Sequence, residues 1–229
     1  MCTQGTSART LRGFTLVELL VALAVMALMS VMAWRGLDAM ARATTHTQQR
    51  SDALMVLQTG MAQWGVDLDA MVDPPKPGPA KPDPSAPAAL DWNGQVLRLT
   101  RTDPAGAQFG LRVVAWGRRE VQGVPHWLRW QSPPIRDPLA WRAAWAQAAL
   151  WGQNPGDAER LQELAVLPLS DWQIFYFRND AWSNPLSSAE NATATPDAVR
   201  LVLTLPSGGV LAGKLTRDWI RPAVAGPKS

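Results

Sequence analysis

The chain has 229 residues, enough for one anchor and one globular domain or for two small domains. With 47% hydrophobic and 18% charged residues it can build a core, which excludes a largely disordered chain. Of the net charge of +3, Arg9 and Arg12 supply two units ahead of residue 13. What remains is too little for a nucleic-acid footprint, so no nucleic-acid partner is expected. The single cysteine, Cys2, excludes an intramolecular disulfide. It also precedes the apolar stretch, whereas a lipidated cysteine follows one.

From Phe14 to Trp34 the chain is apolar except at Thr15, Glu18 and Ser30. About 20 such residues, rising 1.5 Å each as a helix, cross a bilayer core. Trp34 marks the far interface, and Arg35 and Arg42 beyond it leave charge bias a weak guide to orientation. A secretory signal predicts a small-residue cleavage site after its apolar core, but here the small residue, Gly13, comes before it. Glu18 is the anomaly, because an ionised carboxylate in hydrocarbon costs about 3 kcal/mol.

The stretch Gly13-Phe14-Thr15-Leu16-Val17-Glu18, behind a basic leader, resembles the cleavage and methylation motif of type IV prepilins and type II secretion pseudopilins. The resemblance implies that a prepilin peptidase cuts between Gly13 and Phe14 and methylates the new amine of Phe14. It also implies that Glu18 serves assembly, pairing with the ammonium of a neighbouring subunit in a filament. A buried charge is tolerable when paired, and such a pair fixes axial register as a buried polar residue does in a coiled coil. The plain alternative is that Glu18 snorkels to the headgroups, since it lies about 7 Å of helix from the cut.

The helix is predicted to continue past the membrane, because no Pro or Gly cluster stops it before residue 72. Residues 14–34 form its membrane half and 35–72 its periplasmic half. Leu54, Leu57, Met61, Trp64, Leu68 and Met71 recur at spacings of three and four, an apolar stripe for packing on the chain's own domain or in a coiled coil. Residues 73–89 hold seven prolines and read as an extended, semi-rigid connector.

Beyond the connector, in a domain expected over 90–222, the period changes to two. Residues 95–101, 110–117 and 126–131 read as an antiparallel meander with turns at Asp103-Pro104-Ala105-Gly106 and Val121-Gln122-Gly123. Residues 138–151 read as a helix with Pro138 in its first turn, and a shorter helix is expected near 157–164. Together they make a helical insertion over about 138–165. Three further strands are expected at 171–178, 198–205 and 210–220, the last two joined by a tight Pro206-Ser207-Gly208-Gly209 hairpin.

The C-terminal half carries a second resemblance. A strand ending "FYFRNDAWSNP", then "PDAVRLVLTLPSGGVLAGKLTRDWI", is similar to the J-type minor pseudopilins of type II secretion and to large minor pilins of type IV pili. Trp182, Pro196, Val199, Leu201 and Leu203 occupy the matching positions. The fold class implied is α+β and pilin-like: a long N-terminal helix, its first half in the membrane, packed on antiparallel β-sheets with a helical insertion. The partners implied are other minor and major pseudopilins or pilins, the prepilin peptidase, an inner-membrane assembly platform and membrane lipid. The implied location is the bacterial inner membrane, single-pass, with a cytoplasmic N-terminus and a periplasmic domain in a filament tip. A type IV pilus subunit is the alternative to a type II secretion subunit.

No cofactor, metal site or catalytic constellation is expected. His46 and His126 lie in different elements. Asp67, Asp69 and Asp73 cluster but lack the spacing and glycine of a calcium loop. No Walker, nucleophile-elbow or dinucleotide motif occurs. Asn191-Ala192-Thr193 matches a glycosylation sequon without meaning in a bacterial setting. Of the tryptophans, Trp64, Trp116, Trp127, Trp130, Trp141, Trp145, Trp151 and Trp172 are expected to pack, whereas Trp92 and Trp182 fall in predicted turns. Trp182 is the candidate partner contact.

Overall fold

The computed structural model describes residues 14–75, 88–103, 110–187 and 195–222. The leader through Gly13, most of the proline-rich connector, part of the turn after Asp103 and the sequon lie outside these residues. The chain divides into two compact units, up to Gln49 and from Arg50 onward.

In the first unit every described residue from Leu16 to Gln49 belongs to helix α1 (Leu16–Asp69) and is exposed. This stretch is long and apolar enough to cross a membrane, with a mean hydropathy of 2.5 over its best window. Ser30, which interrupts the apolar run, donates its hydroxyl to the Met26 carbonyl at 2.9 Å. It therefore presents no unsatisfied hydroxyl to hydrocarbon.

The second unit is built in layers. Five strands, β1 (Leu90–Trp92), β2 (Val96–Thr102), β3 (Leu111–Val121), β4 (Val124–Gln131) and β5 (Glu163–Pro168), pair antiparallel in that order. Between β4 and β5 come α2 (Pro138–Trp151) and α3 (Asp157–Arg160). The remaining strands, β6 (Asp171–Arg178), β7 (Ala181–Ser183), β8 (Ala198–Leu205) and β9 (Gly213–Ile220), form a second antiparallel sheet ordered β7-β6-β8-β9.

Both faces of the first sheet are covered, which is why its strands read as nearly continuous apolar runs. On one face Val96, Val113, Ala115, Leu128 and Trp130 meet Trp141, Trp145, Ala148 and Trp151 of α2. Leu97, Leu99, Val114, Trp116 and Trp127 on the other face join Trp64 and Leu68 of α1 and the inner face of the second sheet. The helical insertion thus forms an outer layer. Asp137 caps α2 by accepting from the Ala140 N–H, and the Trp141 indole donates to Thr100 Oγ1 at 2.9 Å. The Trp151 indole N–H and the Arg119 guanidinium both donate to Glu163 at the start of β5. Burial of about 150–250 Å² per aromatic makes these tryptophans the main cement of both interfaces.

The structure confirms the helix at 138–151 and the meander, and moves several boundaries. The second short helix ends at Arg160, and residues 163–168 are a strand. Its Glu, Leu and Ala favour helix, but the open edge of β4 takes the segment as a fifth strand, tertiary pairing overriding propensity. The helical insertion therefore ends before residue 163. Trp92 and Trp182 lie in short strands rather than turns. Trp92 is buried, its ring edge-on to Trp172 at 4.7 Å, tying one sheet to the other. The third and last strands run 111–121 and 213–220.

The stripe on α1 also differs from expectation. Leu54 is exposed, while Gly60 and Asp67 are buried beside Trp64 and Leu68. Gly60 lets the helix close on β5, since a Cβ there would lie 2.5 Å from Val166 Cγ1. Asp67 is fully buried and collects five donors. They are Arg101 Nη1 at 2.5 Å, Arg129 Nε and Nη2 at 2.7 and 2.9 Å, the Trp116 indole at 2.9 Å and Gln63 Nε2 at 3.0 Å. Asp69 accepts from the Trp219 indole at 2.7 Å, joining the helix end to the second sheet. The chain then runs straight onto the sheet, with Val72 donating to the Thr100 carbonyl and Thr100 donating to Ala89. Both described flanks of the proline-rich segment therefore sit on the same residue of β2.

Candidate functional site

The motif at the start of α1 has a local geometry of its own. Glu18 Oε2 accepts from the Thr15 backbone N–H at 3.2 Å and from the Thr15 hydroxyl at 3.1 Å. In return the Glu18 N–H donates to Thr15 Oγ1 at 3.3 Å. Thr15 is the N-cap and Glu18 the third helical residue, so Thr-Leu-Val-Glu is a capping box. Two N–H groups that no helical carbonyl can reach are satisfied, and the carboxylate sits where the helix dipole favours negative charge. The signal for this role was present in the sequence as the Thr-x-x-Glu spacing. Phe14, one residue outside the cap, is exposed. Gly13 lies outside the described residues.

Trp182, the other predicted site residue, stands opposite Phe177 on β6. Its ring lies 5.2 Å from that of Phe177, and the Arg200 guanidinium stacks over it at 4.1 Å. Arg200 forms a two-pronged ion pair with Asp218, both bonds 2.7 Å. Hydrogen bonding to Arg200 holds the Asp218 carboxyl below its usual range, and the same bond raises the Arg200 value. Trp182 is therefore a half-buried, held side chain on the outward side of the second sheet. The motif and Trp182 belong to different units.

Of the acidic cluster Asp67, Asp69 and Asp73, the first two are occupied by arginine and tryptophan donors rather than arranged around an ion. Among the described residues no group of three His, Cys, Asp or Glu side chains gathers as metal ligands. His46 is exposed on α1, and His126 contacts the Val124 carbonyl through Nδ1 at 2.8 Å.

Residues 9–34 match the family model for the prokaryotic N-terminal methylation motif. Over 222 residues the chain is 25% identical to a type II secretion system protein J of Vibrio cholerae serotype O1, covering 90% of this chain and 87% of that protein. It is 26% identical over 214 residues to a type II secretion system protein J of Escherichia coli, covering 93% of this chain and 96% of that one. The resemblance read from two short stretches therefore extends over most of the chain.

Proposed function

We propose that this chain is a minor pseudopilin of a type II secretion system, one member of a tip complex that starts a short periplasmic filament. The observation that carries this reading is similarity to two protein J relatives along nearly the whole chain, beginning with the methylation motif. A shared motif alone would serve a type IV pilus subunit equally well; the extent of the similarity favours secretion. The peptidase cuts between Gly13 and Phe14 and methylates the Phe14 amine. The helix anchors the subunit in the inner membrane, with the layered unit in the periplasm. Its partners are other pseudopilins, the peptidase and the assembly platform, and Trp182 with Arg200 offers a contact surface of the residue types that dominate interfaces.

Glu18 has a specific part in this scheme. One of its oxygens serves the capping box of its own helix. The other remains for the methylated ammonium of a neighbouring subunit, and that pairing offsets the cost of holding a charge in hydrocarbon.

The test is intact-mass analysis of the chain expressed with and without an active prepilin peptidase. A product beginning at Phe14, and heavier by one methylene, is expected only with the peptidase. A chain that keeps its first 13 residues in its presence refutes the reading. Co-purification with the other minor pseudopilins then tests the tip complex, and loss of capture on Trp182→Ala tests the contact.

A further inference from the structure

A cleft of about 470 Å³ opens among four segments of the second unit. Gln95 lies in the β1–β2 turn and Arg118 on β3, while Gly152 and Gln153 directly follow α2 and Asp171 begins β6. The volume falls within the range of ligand sites, about 300–1,000 Å³. Its walls are fixed in advance. Asn93 Oδ1 accepts from the N–H groups of Gln95 and Val96 at 3.0 and 2.8 Å, locking the turn. Gly152 lies where a Cβ would come within 1.9 Å of Val96 Cγ2, so only glycine allows the end of α2 to close this wall.

The charges around the cleft keep spare hydrogen-bonding capacity. Arg118 donates Nε to the Leu169 carbonyl at 3.2 Å, which orients the guanidinium plane and leaves its Nη edge without a partner among the described residues. Asp171 accepts a single long bond of 3.5 Å, from Gln173. Neither belongs to any of the ion pairs that tie the other strands together. Helix α2 has no basic side chain of its own in its last turn, so the negative end of its dipole adds to the cation-favouring side of the cleft. The side-chain amides of Gln95 and Gln153 likewise have no partners among the described residues.

We propose that this cleft binds a polar segment of another polypeptide in which a carboxylate side chain lies beside a lysine or arginine. The carboxylate takes the Nη fork of Arg118, whose planar geometry suits bidentate recognition. The cation sits at Asp171 and the end of α2, and the two glutamine amides meet the intervening backbone N–H and C=O groups. A wholly anionic ligand would be repelled by Asp171 and a wholly cationic one by Arg118, so the site selects for both charges together. The proposal does not depend on cleavage at Gly13.

The test is saturation-transfer NMR on the full chain in detergent micelles. The probes are acetyl-Glu-Gly-Lys-amide, its Gln-for-Glu and norleucine-for-Lys versions, and free glutamate and lysine. Wild type is expected to bind the doubly charged peptide several-fold better than either neutralised version or either free amino acid. Arg118→Gln should lose only the preference for Glu over Gln, and Asp171→Asn only the preference for Lys over norleucine. Both positions are exposed, and near-UV circular dichroism checks that the variants keep the wild-type fold. Equal binding of all peptides, no binding up to about 10 mM, or a variant that keeps the preference it should lose overturns the proposal. Free amino acids binding as well as the peptide would overturn the polypeptide assignment.

Discussion

Replacing Asp67 with alanine should detach the end of α1 from the first sheet. The side chain is fully buried and its two arginines are only 11% and 12% exposed. The substitution would therefore leave two guanidiniums and the Trp116 indole N–H largely cut off from water. Each arginine keeps one other acceptor, the Thr102 carbonyl for Arg101 and Gln131 Oε1 for Arg129. The loss is thus partial, and breaking a buried pair of this kind costs about 3–5 kcal/mol. For a unit of this size, at about 2–4 °C per kcal/mol, the midpoint should fall by roughly 6–20 °C. Thermal unfolding of the full chain in detergent, followed by near-UV circular dichroism, measures it, and hydrogen exchange over residues 57–69 locates it. Asp67→Asn keeps an acceptor and should cost less. Replacing all three charged residues with apolar ones of similar volume should recover much of the loss, because the arginines then no longer need a partner. A loss under about 1 kcal/mol for Asp67→Ala would refute the reasoning, since exposed ion pairs already account for that much.

Gly60→Ala normally gains about 1 kcal/mol in a helix, but here the new Cβ meets Val166 at 2.5 Å, and overpacking of about 1–3 kcal/mol reverses the sign. The same change in a Val166→Ala background should be stabilising relative to that background, and destabilisation in both would place the strain elsewhere. Tyr176 is buried, and burial first, then Asp91, pushes its hydroxyl well above the usual phenol range. Above about pH 10 the unfolded phenol releases its proton while the folded one keeps it, so stability should fall by up to about 1.4 kcal/mol per pH unit. Tyr176→Phe should remove that alkaline slope in urea titrations and cost under about 1 kcal/mol at neutral pH, because the hydroxyl has no hydrogen-bond partner among the described residues. Thr15→Val should remove the reciprocal hydroxyl bonds with Glu18. Amide exchange over the first turn of α1 should then rise in keeping with a loss of about 1 kcal/mol, and unchanged protection would mean the capping box contributes nothing.

Local rules were enough for the elements whose signals are local. Pro138 and Asp137 start α2, and the turn at Gln122-Gly123, both with positive φ, closes the β3–β4 hairpin as its sequence requires. What escaped the sequence were pairings set from far away. The strand at 163–168 has helix-forming residues and becomes a strand only because β4 offers an edge. Trp92 looked like a turn residue because Asn93 and Gly94 follow it, yet Trp172, 80 positions later, buries it. The sequence shows Asp67 only as one of three clustered carboxylates, because the arginines it pairs with lie 34 and 62 residues away. At the N-terminus the motif was fully legible, but the Thr15–Glu18 capping geometry within it went unread behind the functional interpretation of Glu18.

The capping box changes what the proposed membrane anchor asks of Glu18. A carboxylate alone in hydrocarbon must snorkel, find a cation or carry the full cost of its charge. At the third position of a helix it gains two local donors and the favourable end of the dipole before any partner arrives. These interactions hold it in one orientation, and they are neutral, so they leave its charge intact. In the proposed anchor, these contacts would make the charge of a single subunit tolerable but leave it without a cation. If cleavage creates an ammonium at Phe14, an incoming helix can present that cation to a carboxylate already fixed in place, and little ordering remains to be done when the two meet. On this argument Thr15 acts with Glu18 as one unit. Under the proposed assembly, Thr15→Val should therefore weaken co-purification with other pseudopilins even though Glu18 itself is untouched, and unchanged capture would refute the link.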